Sequence, residues 1–388
     1  MLLCPRCKHA YRPSQRVCPR DKEELRPPAE VDSRIGTTIG NHRLVDVLGT
    51  GGMGAVYLAE HLYIGTRAAI KILHEQHSME SDAVARLLQE ARAAAAIGHN
   101  NIVAVSDFGE THDGLAYIVM EYVEGRPLDA LLEDETVLPL FRAINIVNQI
   151  GSGLAAAHEK AIVHRDLKPE NVMLVEARGR RQIVRRSPGD APPTVEMETT
   201  YDHVKILDFG VAKILDADLS RRTLSGFVIG TPQYMAPETA RGKSEVDHRI
   251  DVYALGVMFY EMLTGKLPFD ASTPMDMMLA HCSKPVPPML ERNPHAEVTP
   301  RAERLVQRAL AKSPDARQAN MREFLAELQE CYGDENFLRN VERATHTPAQ
   351  RVPRPRSLTE DLKELFAGGG NEILERAFAD DPPPPKKR

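Results

Sequence analysis

Ile162-Val163-His164-Arg165-Asp166-Leu167-Lys168-Pro169-Glu170-Asn171-Val172-Met173-Leu174 is the stretch on which the reading of this chain turns. A polar loop stands between two apolar runs, and its charged and amide groups sit at fixed offsets from one another. A carboxylate such as Asp166 can orient an attacking O–H and accept its proton. The charge of a transferred phosphate needs cations, which Lys168 and a metal ion held by Asn171 can supply.

Composition sets wider bounds. A chain of 388 residues with 42% hydrophobic content can bury a sizeable core. Its formal charge of −6 gives no general argument for nucleic-acid or membrane binding. No apolar run is long enough to span a bilayer, and Met1-Leu2-Leu3 runs straight into Cys4-Pro5-Arg6-Cys7, so no signal peptide is expected. Five cysteines, with Cys4, Cys7 and Cys18 crowded at the N-terminus, fit a reducing compartment and one metal site better than a disulfide framework. The expected location is the cytoplasm.

The stretch from His164 to Asn171 resembles the catalytic loop of eukaryotic-like serine/threonine protein kinases of bacteria, His-Arg-Asp-Leu-x-x-x-Asn. That resemblance extends over residues 42–330 and implies an α+β, bilobal fold: a small β-rich lobe with one helix and a large, mostly helical lobe. It also implies ATP and magnesium as cofactors and proteins bearing Ser or Thr as substrates. The other motifs occur in order. Gly49-Thr50-Gly51-Gly52-Met53-Gly54 follows a strand pattern, and Val56-Tyr57-Leu58-Ala59 continues as strand rather than helix, as a kinase glycine loop requires. Ala68-Ala69-Ile70-Lys71 resembles the strand whose lysine reaches the α- and β-phosphates. Ser81 to Ile97 is a helix candidate ended by Gly98, and the resemblance makes its Glu90 the partner of Lys71. Tyr117 to Gly125 reads as a strand entering a hinge. By resemblance Met120 is the gatekeeper, backbone at Glu121 and Val123 bonds the adenine, and Leu48, Val56, Ala69 and Met173 pack its faces.

In the large lobe, Asp208-Phe209-Gly210 takes a magnesium-binding role with Asn171. It comes late, because about 176–203 intervenes. Arg178, Arg180, Arg181, Arg185, Arg186, Ser187-Pro188 and Ala191-Pro192-Pro193 make that insert read as a surface loop with little to bury. Gly230-Thr231-Pro232 to Ala236-Pro237-Glu238 resembles the Ser/Thr-specific end of an activation segment. The resemblance has Thr231 bond Asp166 and Lys168, and Glu238 pair with Arg317. Asp251 opens a helix, apolar nearly all round, that should be buried in the core. Tyr253 stands in it where the family has tryptophan. Thr223 and Ser225 match positions phosphorylated in related kinases, where the phosphate answers an arginine placed like Arg165.

At the N-terminus, Cys4-x-x-Cys7 and Cys18-x-x-Asp21 have the spacing of two zinc knuckles, with His9 as competing fourth ligand. Residues 1–27 resemble the small zinc ribbons fused to some bacterial kinases, and 28–41 reads as a linker. Residues 331–388 form a tail, expected to be partly disordered, with short helix candidates at Leu358–Phe366 and Ile373–Phe378. Self-association for autophosphorylation is the other expected partnership.

Overall fold

A computed structural model describes residues 2–3, 10–11, 16–18, 22, 24, 32–51, 54–74, 88, 91–92, 94–184, 194–208, 232–243 and 246–331, with backbone alone for 2–3, 10–11, 177–184 and 194–200. The chain divides into two units, Met1–Arg339 and Asn340–Arg388, and every described residue lies in the first.

Residues 32–121 build a six-stranded sheet. After β1 (Leu2–Leu3) and β2 (Ala10–Tyr11), which pair with each other, its strands in chain order are β3 (Thr38–Ile39), β4 (His42–Thr50), β5 (Gly54–His61), β6 (Arg67–Leu73), β7 (Val105–Glu110) and β8 (Ala116–Glu121). They lie in the spatial order β3-β4-β5-β6-β8-β7, and every pairing is antiparallel. Alternation in these strands sends Leu44, Tyr57, Ala59, Ile70, Ile72 and Val119 into one buried cluster. The same cluster takes in Ile39, and Ile35 is also buried. The Tyr57 hydroxyl donates to Asp32 Oδ2 at 2.9 Å. The last residues of the expected linker are therefore part of the small lobe, because two isoleucines gain by burial there.

Two helices dominate the large lobe. In Leu140–His158, Leu140, Ile144, Val147 and Leu154 are among the buried residues. Arg249–Thr264 is buried on every side, as its all-apolar pattern requires, and ends at Gly265 with φ +68°, where only a residue without Cβ sits easily. Against them pack Pro300–Ala309 and Met321–Glu330, whose N-caps Thr299 and Asn320 accept from the N–H groups of Ala302 and Glu323.

The described parts of the insert depart from the expected loop, while 185–193, with Arg185, Arg186, Ser187-Pro188 and Ala191-Pro192-Pro193, lie outside the described residues. β9 (Arg126–Pro127) pairs with β10 near its start; β10 (Val172–Val184) and β11 (Thr194–Ile206) are 13 residues each and pair without a break from Val172↔Ile206 to Val184↔Thr194. Composition misled here because an antiparallel ladder satisfies its backbone groups whatever side chains it carries. Arg142 holds the root of this hairpin: its Nε donates to Asp202 Oδ2 at 2.7 Å and its Nη2 to Oδ1 at 3.1 Å. Hydrogen bonding to Asp202, ahead of burial, holds the Arg142 guanidinium well above its ordinary pKa.

Candidate active site

The catalytic loop hangs from one buried carboxylate. Asp251 Oδ2 accepts from the His164 N–H at 2.9 Å, and Oδ1 accepts from the Arg165 N–H at 3.0 Å. His158 Nε2 lies 2.8 Å from Oδ2. Burial pushes the Asp251 carboxyl up, but the hydrogen bond and electrostatic pull of His158, helped by His164, outweigh it and hold the pKa below its ordinary value. These contacts fix Arg165 at φ +65°, a left-handed conformation that costs a non-glycine residue free energy. The turn aims Asp166 out of the backbone while His164, fully buried, points inward with its Nε2 3.0 Å from the Leu207 carbonyl. Asp251 and His158 escaped the sequence reading. The available signal was a charged residue in an otherwise apolar helix, since a buried carboxylate must have partners.

From there a chain of contacts runs to Lys71 on β6. Lys168 Nζ stands 4.0 Å from Asp166 Oδ2. Asn171 Nδ2 donates to the Asp166 carbonyl at 2.8 Å, so the amide oxygen faces away from that contact. The Leu207 N–H donates to the Asn171 carbonyl at 2.8 Å, which sets Asp208 beside Asn171. Asp208, at φ +41°, reaches Lys71 Nζ at 3.3 Å. A carboxylate and an amide oxygen are a donor set that suits a hard cation such as magnesium.

The nucleotide-facing expectations fall on the small-lobe sheet and the strand beneath it. Val56 pairs with Lys71 in the β5/β6 register, and Ala69 with Met120 in β6/β8. Leu48 sits in a bulge of β4 and is exposed. Gly51 accepts its turn by donating to the Gly54 carbonyl at 2.9 Å. Gly54 must be glycine, because a Cβ there would lie 2.1 Å from the Ile72 carbonyl oxygen. Gly49 continues the same strand end. The Glu121 N–H is engaged by the Ala104 carbonyl at 2.9 Å, and Val123 follows two residues beyond the end of β8. Met173 is the second residue of β10. Gly52, Glu90, Thr231, Thr223 and Ser225 lie outside the described residues, as do Cys4, Cys7, His9 and Asp21 of the N-terminal module and both tail helices.

The expected Glu238–Arg317 pair is present and bidentate, with both N–H···O contacts at 2.7 Å and side chains 5% and 0% exposed. The Arg317 guanidinium also lies 4.8 Å over the Tyr253 ring. Tyr253 hydroxyl meets His281 Nδ1 at 2.7 Å. Tyr253 thus packs its ring under Arg317 and makes a buried polar link to His281.

The model of the protein kinase domain family matches residues 42–328, and the chain belongs to that family. It is 39% identical over 364 residues to the serine/threonine-protein kinase pkn3 of Myxococcus xanthus, covering 91% of this chain and 62% of that protein. It is 42% identical over 298 residues to Pkn1 of the same organism, covering 77% of this chain and 39% of that one. The chain therefore spans between about two fifths and three fifths of these relatives' lengths. The solved kinase domain of Mycobacterium tuberculosis PknI is similar at 27% identity and a TM-score of 0.55, with 76% of this chain and 98% of that domain covered. Among the described residues no helix is long and apolar enough to cross a membrane.

Proposed function

We propose that the chain is an ATP-dependent serine/threonine protein kinase, moving the γ-phosphoryl of ATP to Ser or Thr hydroxyls of proteins. The observation that carries this reading is the continuous set of contacts from Asp166 through Asn171 and Leu207 to Asp208 and Lys71. Asp166 orients the acceptor hydroxyl and takes its proton. Lys168 lies against the transferring group and offsets its charge. Asn171 and Asp208 hold magnesium, which when bound neutralises phosphate charge, and Lys71 positions the α- and β-phosphates. Thr231 would join Asp166 and Lys168 in shaping the acceptor's approach, and Glu90 would pair with Lys71 to hold it toward the phosphates. The relatives' names and the family membership support the reading. The test is incubation with magnesium and labelled ATP, then acid hydrolysis: label should appear on phosphoserine or phosphothreonine. No label on the protein or on a generic basic or acidic protein would instead favour a pseudokinase-like scaffold that binds partners without chemistry.

Four finer readings accompany it. Residues 1–27 hold one zinc through Cys4, Cys7, Cys18 and Asp21. Two short antiparallel pairings support this, β1 (Leu2–Leu3) with β2 (Ala10–Tyr11) and Val17 with Glu24, since each brackets one knuckle. Elemental analysis of protein purified without chelator should find one equivalent, and Cys18→Ser should release it. Thr223 or Ser225 accepts phosphate and pairs with Arg165, a half-buried residue of the catalytic loop itself. Copies of the chain meet transiently to exchange that phosphate. The location in this reading is the cytoplasm, which the cysteine usage supports.

A further inference from the structure

Lys205 lies three residues before Asp208 on β11, opposite Met173 in the β10/β11 register. Its flanking residues Val204 and Ile206 are fully buried, so the strand is fixed on both sides of it. Its Nζ reaches across to Glu121 Oε2 at 2.8 Å, with side chains 15% and 36% exposed. Glu121 is the last residue of β8, where the chain enters the hinge. The same oxygen accepts from the Ala104 N–H at 3.3 Å, while the Glu121 N–H donates back to the Ala104 carbonyl. One ammonium thus ties the strand that delivers the magnesium ligand to the residue whose backbone faces the adenine.

We propose that Lys205 is a positioning residue for the nucleotide: its ion pair with Glu121 sets the distance between the adenine-binding hinge and Asp208. This rests on the kinase reading for the identity of the ligand. ATP must satisfy both ends at once, its base at the hinge and its phosphates through magnesium at Asp208. A link between the two ends lowers the ordering that binding would otherwise require. An exposed ion pair would contribute little, but this one is mostly sheltered and held by a strand fixed along its length. Nothing in the pair touches the reacting atoms, so its loss should act on nucleotide affinity first.

The experiment is calorimetric titration of magnesium-ATP into the full chain, with KM for ATP and kcat measured alongside. Lys205→Met keeps the apolar stem and removes the charge. It should weaken the Kd of ATP and raise its KM about fivefold, roughly 1 kcal/mol at 1.4 kcal/mol per tenfold, and lower kcat by a smaller factor. Glu121→Gln should do the same. The double variant Lys205→Glu with Glu121→Lys restores the pair in reverse and should recover most of the affinity, which an effect of either residue alone would not allow, while a merely structural role would lower the melting temperature without a selective rise in the KM for ATP. A Lys205→Met protein that binds ATP within twofold of the parent overturns the proposal, as does a double variant weaker than both single ones. Because the Kd is independent of chemistry, a parent that binds ATP with these effects but transfers no phosphate sinks the kinase reading alone. A parent that binds no nucleotide sinks both.

Discussion

Two ion pairs of this molecule use similar groups for opposite ends. Glu238–Arg317 is bidentate, at 2.7 Å twice, and almost wholly shut off from water. Lys71–Asp208 is longer, at 3.3 Å, with Asp208 41% exposed. The first pair closes a core: Arg317 also donates to the carbonyls of Ala311 and Arg249 and covers the Tyr253 ring, so its alternatives are gone. The second is a contact that a ligand can exchange, because water and phosphate can take either partner. Burial and the number of donors, rather than the charges themselves, separate a clamp from a catalytic pair.

Breaking the clamp should have the largest effect. Arg317→Leu strands the Glu238 carboxylate in the core, which costs about 3–5 kcal/mol, and thermal unfolding should show a large drop or no cooperative transition. Arg317→Lys should recover only part of it, since an ammonium cannot make two parallel bonds to one carboxylate. If Arg317→Leu melts near the parent temperature, the clamp is not what closes the large lobe.

The next effect is one of pH. Burial, then the nearby Lys312, pushes His281 down from 6.5 to about 4. The unfolded chain then binds a proton that the folded one refuses. Stability is therefore unaffected above pH about 6.5 and falls as pH drops from there towards 4, by on the order of 3 kcal/mol. Asp251, held below its ordinary value, adds a loss only further into acid, as pH falls through its own folded value. Urea unfolding of the parent and of His281→Gln at pH 7.5 and 5 checks this. The variant should lose less stability across that interval, and an equal loss would mean that another group carries the acid sensitivity.

Much of this contrast was legible in the chain, and for different reasons. The catalytic loop, the Lys71 strand and the Asp208 motif are short and local, and each carries its chemistry in its own residues. Glu238 and Arg317 lie far apart in sequence, and family resemblance alone paired them. Three things stayed hidden. Asp251 anchors the loop through backbone N–H groups, so the sequence shows it only as a charge in an apolar helix and not what it holds. Lys205 and Glu121 look like ordinary strand charges until the fold brings them within 2.8 Å. The β10/β11 ribbon is held by backbone pairing and by Arg142 at its root, so an arginine- and proline-rich composition concealed it.

Smaller effects on stability should come from the cleft and the ribbon. Lys71→Met should change stability by no more than about 1 kcal/mol, the scale of partly exposed pairs, while phosphate transfer is lost. A melting-temperature drop comparable to that of Arg317→Leu would make Lys71–Asp208 a second clamp and erase the distinction. Joining Ala177 to Tyr201 through a two-residue Asn-Gly turn removes the outer ribbon but keeps Asp202 on Arg142. The cost should be about 0.5 kcal/mol or less, with basal transfer retained. A larger loss, read by thermal unfolding, would mean that the outer ribbon packs on the lobe.

The most direct measurement is the initial rate of phosphate incorporation from magnesium-ATP by the parent and by Asp166→Asn, with melting temperature and ATP affinity recorded on the same samples. The account predicts that the parent incorporates phosphate on Ser or Thr. Asp166→Asn should melt and bind ATP like the parent but lose at least about 100-fold in rate, the scale of a positioned general base. An Asp166→Asn protein that transfers phosphate at the parental rate, with fold and affinity intact, would contradict the assignment of this cleft as the place where the chemistry occurs.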